Sequence, residues 1–152
     1  SIGRVDRPSV QRLVDVATRV AAAYGFGAPH PVITMTTSPD AYAVWYTDGL
    51  RVEINPLMLE LVGGNDDTLA ALVAHVLAHT RDRSYSNNPQ QREMEADQKA
   101  LRAMADAGFN LQGAAVFWQT MQAHPRAVWN DSHPSYPERA KVLAAAVAAA
   151  HH

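Results

Sequence analysis

Asp48-Gly49 stands between two runs of β-branched and aromatic residues, Tyr42-Ala43-Val44-Trp45-Tyr46 and Leu50-Arg51-Val52-Glu53-Ile54. That arrangement reads as a β-hairpin turning at Thr47-Asp48-Gly49, because glycine accepts the backbone angles a tight turn imposes. Pro31-Val32-Ile33-Thr34-Met35-Thr36 reads as another strand. Around this sheet the period changes. Val10, Leu13, Val14, Ala17 and Val20 form a helical stripe, with Pro8 suited to its first turn and Gly25 to its stop. Asn55-Pro56 ends the hairpin and opens a short helix through Leu61. From Gly63 onward the chain reads as helical. One helix runs from Asp66 to Arg81 behind Gly63-Gly64-Asn65, and one is opened by Asn88-Pro89 and stopped at Gly108. Another runs from Asn110 to about Met121, and the capping-box spacing Ser135-x-x-Glu138 opens an alanine-rich last one. The expectation is an α+β fold, with a small three-stranded antiparallel-containing sheet and about five helices, in one domain over residues 1–152.

Composition removes several classes of function. Apolar residues make up 47 % of 152, enough for one real core. The net charge of −2 offers no basic field for a run of phosphates, so no nucleic-acid partner is expected. With no cysteine there is no disulfide, no thiolate metal site and no cysteine nucleophile. No apolar run approaches the roughly 20 residues of a membrane helix, and no signal peptide is visible. The chain starts at Ser1 rather than methionine, which leaves room for a removed leader or anchor.

Two pairs of polar residues carry the chemistry. His75 and His79 lie one helical turn apart, about 6 Å along the axis and nearly on one face, so both imidazoles can reach one metal ion. The plainer alternative is that Leu69, Leu72, Val73 and Val76 form a core stripe that the histidines flank. Glu93 and Asp97 are spaced in the same way on the next helix. Zinc accepts two imidazoles and a carboxylate and keeps a position for water, and a metal-bound histidine wants an acceptor on its other nitrogen, which Asp97 can supply. A solvated face made of Arg92, Glu93, Glu95 and Lys99 is the alternative here.

His75-Val76-Leu77-Ala78-His79 and Glu93-Met94-Glu95-Ala96-Asp97 together resemble the HtpX, Oma and CAAX-prenyl-protease type of zinc metallopeptidase, a gluzincin group (peptidase family 48 of clan MA). That family carries H-E-x-x-H on one helix and E-x-x-A-D on a later one. Three other stretches are similar to it in the same order. They are the hairpin from Asp40 to Leu59, Asp106-Ala107-Gly108-Phe109-Asn110 with Ala114 to Trp118, and His133-Pro134-Ser135-Tyr136-Pro137-Glu138-Arg139, which matches H-P-x-x-x-x-R. The resemblance implies a zincin-like fold and one Zn2+ per chain. Its ligands would be His75, His79 and Glu93, with Asp97 behind them. Glu95 falls on the variable position, about 200° round the helix from Glu93. His133 would be a fourth ligand or a donor to a substrate oxyanion; otherwise it is a loop histidine before a proline. Arg139 would pair with a carboxylate near the metal or act on the transition state. His30 and His124 receive no role, and His151 and His152 could bind adventitious metal.

The chain departs from the pattern at Val76, where the family has the glutamate that takes a proton from the attacking water and returns one to the leaving amine. Valine has no proton to move. The resemblance therefore implies a pseudopeptidase that keeps its metal site and binds a peptide or protein segment along the 42–54 hairpin. Trp45 and Tyr46, neighbours on a strand, face opposite sides there, as part of that surface or as packing partners. Two other functions fit the same residues: an active zinc endopeptidase with an unrecognised base, and a metal-free interaction domain. By analogy with the family the location is the cell envelope or periplasm, with the cytoplasm next.

Overall fold

Asparagines set where helices begin. Asn55 Oδ1 accepts from the Met58 amide at 2.8 Å, and Asn65 Oδ1 from the amides of Asp67 and Thr68 at 2.9 and 3.1 Å. Asn88 and Asn110 do the same for Gln91 and Gln112 at 3.3 and 2.9 Å. Each satisfies an amide that the first turn leaves without an intrahelical acceptor. Pro56 and Pro89 follow at the first helical position, where an amide has no partner to lose.

The structure is a computed structural model and describes residues 7–33, 41–62, 64–81, 88–123 and 136–150. In chain order its elements are α1 (Arg7–Ala23), β1 (His30–Ile33), β2 (Ala41–Tyr46), β3 (Gly49–Ile54), α2 (Pro56–Val62), α3 (Asp66–Arg81), α4 (Pro89–Asp106), α5 (Gln112–Ala123) and α6 (Tyr136–Ala150). This is an α+β fold with six helices among the described residues, where the sequence suggested about five. The short α2 is the helix that the sequence expects Asn55-Pro56 to open, and counting it gives six. Thr34-Met35-Thr36, at the end of the first expected strand, and Ser135 of the capping-box spacing lie outside the described residues. α4 stops short of Gly108, whose φ of 84° lets the Phe109 amide reach back to the Met104 carbonyl at 2.9 Å.

The sheet is mixed, in the order β1-β3-β2. β2 and β3 are the hairpin, with Trp45 opposite Leu50 and Tyr46 opposite Gly49 beside the turn. β1 runs parallel to β3, from His30↔Arg51 to Ile33↔Ile54. Along the central strand Leu50, Val52 and Ile54 are buried while Arg51 and Glu53 are partly exposed, so one face is core. β2 is left at an edge.

α3 is the hub, with α1, α2, α4, α5 and β2 all packed against it. It buries Leu69, Leu72, Val73, Val76 and Leu77 together with Ala70, Ala71, Ala74 and Ala78, whose small side chains let neighbours come close. One close approach is at Gly113, where a Cβ would lie 2.4 Å from the Asp67 backbone. On the other side the Tyr24 hydroxyl donates to the Ala74 carbonyl at 2.8 Å. α3 is therefore held along its length before its two histidines are considered.

Candidate metal centre

A histidine in a core helix must find polar partners or the burial is costly. His75 is 2 % exposed, and its partners come from α4. Its Nδ1 lies 3.0 Å from Asp97 Oδ1, and its Nε2 lies 3.3 Å from Glu93 Oε2. His79, one turn on, brings its Nε2 to 3.1 Å from His75 Nε2 and 3.3 Å from the same Glu93 oxygen. Two imidazole nitrogens and one carboxylate oxygen thus face a common point between α3 and α4. The point is reachable from outside: the His79 and Glu93 side chains are 37 % and 14 % exposed.

Asp97 organises this arrangement. It is buried, and the Arg139 guanidinium of α6 grips it through Nε to Oδ2 at 2.7 Å and an Nη to Oδ1 at 3.0 Å. Arg139 in turn lies 5.2 Å over the Trp118 ring of α5. Burial raises the Asp97 carboxyl, but His75 and Arg139 overcome it and hold the group below the usual carboxylate range. Asp97 is then an anion that accepts the Nδ1–H of His75, and the His75 Nε2 lone pair points at the shared centre. Burial also lowers the proton affinity of His75, yet its hydrogen bonds to Asp97 and Glu93 reverse this and leave its pKa raised. Three electron-rich atoms so close together call for a proton or a cation among them.

The donor set fits a metal ion. A tetrahedral ion with ligands at about 2.0–2.1 Å requires its donors to stand about 3.3–3.4 Å apart. The three separations here are 3.1, 3.3 and 3.3 Å. Glu95 takes no part: it lies in a groove between α4 and α6 and accepts from Gln91 at 3.5 Å. Val76 follows His75 but turns into the core at 2 % exposure and brings no polar atom to the centre. His133 lies outside the described residues. Two residues that sequence reasoning did not connect to the site belong to its support. Trp118 seats Arg139, and Tyr24 anchors α3 one residue before His75. No local pattern marks either, since each acts across a long stretch of chain.

The sequence pattern of Peptidase family M48 matches residues 83–147, a span that holds Glu93, Asp97 and Arg139. Over that stretch the chain is similar to the family. The match begins after α3, so it bears on the acidic half of the centre, while the histidine half is placed by geometry. The similarity supports a metallopeptidase-like domain, and the α+β arrangement of the described residues is consistent with a small piece of a peptidase fold. No curated protein matches the chain. Among the described residues, no helix is long and apolar enough to cross a membrane.

Proposed function

We propose that this chain is a member of Peptidase family M48 that holds one zinc ion on His75, His79 and Glu93, and binds extended peptide while hydrolysing it poorly. The observation that carries the reading is the convergence of three donor atoms 3.1 to 3.3 Å apart. Zinc bound there would supply Lewis-acid polarisation of a peptide carbonyl. The chain's own contribution is to orient: Asp97, held by Arg139, fixes the ring and tautomer of His75. What it does not contribute is a base. Val76 occupies the position of the family's glutamate, and a missing general base costs roughly 10²–10⁴ in rate. Peptide binding rests on β2, which among the described strands pairs with β3 alone and packs against α3. An extended segment can add to such an edge by main-chain hydrogen bonds.

Elemental analysis tests the metal, on protein freed of His151 and His152 and purified without added zinc. About one zinc per chain, lost in His75→Ala and in Glu93→Ala, is the expected result. A folded protein without metal would leave the fold as a binding module only.

A further inference from the structure

We infer that Trp45 forms a side-chain subsite on the β2 edge, one that selects a large apolar or aromatic residue in an extended peptide. The inference rests on the reading of β2 as a peptide-binding edge. Trp45 is 53 % exposed, the highest among the described large hydrophobic residues. Its neighbour Tyr46 is also exposed, but the Arg51 guanidinium sits 4.0 Å over that ring. The indole, by contrast, is propped rather than covered. Phe26 meets it edge-on, with centroids 5.3 Å apart at 90°. Phe26 stacks on Tyr24 at 5.8 Å, and the Tyr24 hydroxyl donates to the carbonyl of Ala74, the residue before His75. An exposed indole is thus tied through two rings to the helix that carries both histidines.

The register says which side it serves. Trp45 is opposite Leu50, so it shares the face of Leu50, Val52 and Ile54, the face that packs on the helices. A peptide added along β2 would place every second side chain on that same face. One of these lies beside Trp45. A leucine or phenylalanine there would cover indole surface that now meets water, and a rigid tryptophan gives this at little cost in conformational entropy.

Two fluorescein-labelled decapeptides of alternating serine and threonine test the subsite, one with a central phenylalanine and one without. Their binding to the zinc-loaded chain is read by anisotropy. The phenylalanine peptide should bind more tightly. Trp45→Ala should weaken it about three- to tenfold while leaving the plain peptide unchanged, and Trp45→Phe should recover most of the loss. Phe26→Leu, which removes the prop and keeps the indole, should give an intermediate loss. If Trp45→Ala shifts both peptides equally, or neither, the subsite is refuted while the edge stands. If the wild type binds neither peptide, or binds a backbone N-methylated version equally well, the edge reading fails and the subsite with it.

Discussion

Asp97 accepts three hydrogen bonds on two oxygens, one from His75 and two from Arg139. Its charge is what makes the set coherent. Asp97→Asn keeps the shape but leaves a guanidinium buried without its counter-ion and no longer dictates the His75 tautomer. Zinc affinity should fall about 10- to 100-fold. Stability should drop by about 3–5 kcal/mol, the usual cost of stranding one member of a buried ion pair. A competitor-dye titration and a urea melt measure the two effects separately. The raised pKa of His75 adds a dependence on pH. In the metal-free protein the protonated ring is favoured on folding. That stabilisation is complete below the unfolded value near 6.5 and disappears as pH rises through the higher folded value. Zinc needs the bare nitrogen, so its apparent affinity should decline as pH falls through the folded value, about tenfold per unit below it for one displaced proton. Zinc titrations at a series of pH values check this, and a flat profile would take His75 out of the ligand set.

Between elements, one tight joint is where α5 meets the first turn of α3. Asp67 Oδ1 accepts the Asn110 amide at 2.9 Å there, and Gly113 faces the Asp67 backbone. On an isolated helix Gly113→Ala would be favourable by roughly 1 kcal/mol. Here the added methyl would meet backbone at 2.4 Å, which cannot rotate away. The net effect should be a loss of about 1–3 kcal/mol. Thermal melts report it, with Gly27→Ala, which has open space, as the control. This joint also marks the limit of sequence reading. Helix starts at Asn55, Asn65, Asn88 and Asn110 were legible because a cap acts within three residues of itself. The hairpin was legible for the same reason. The parallel pairing of β1 with β3 and the edge position of β2 were not, since they depend on which surfaces the helices cover. The candidate ligands stood out because two one-turn polar pairs interrupt helical stripes. The family resemblance points to Arg139 pairing with a carboxylate near the metal, but that the carboxylate is Asp97, 42 residues back, and that Trp118 makes the seat, follows from how α4, α5 and α6 pack.

For the whole molecule the decisive position is residue 76, because packing and chemistry make opposite demands on it. Val76 completes the apolar side of α3 in the centre of the core. A glutamate there would set an ionisable group against that core, at a cost of a few kcal/mol unless its carboxyl reaches the open side beside His79 and Glu93. A domain of this kind has only about 5–15 kcal/mol to lose. If the carboxyl does reach the centre, it restores a group able to take and return a proton. Val76→Glu should therefore melt lower than the wild type, retain zinc, and cleave an unstructured substrate such as casein faster, by up to about 10²–10⁴. The cleavage should vanish on chelation and in the double variant Val76→Glu/His79→Ala. Folded, zinc-loaded and inert Val76→Glu protein would mean that hydrolysis was lost at more than this one residue. In that case the peptide edge at β2, rather than the metal, would be where selection has kept this fold in use.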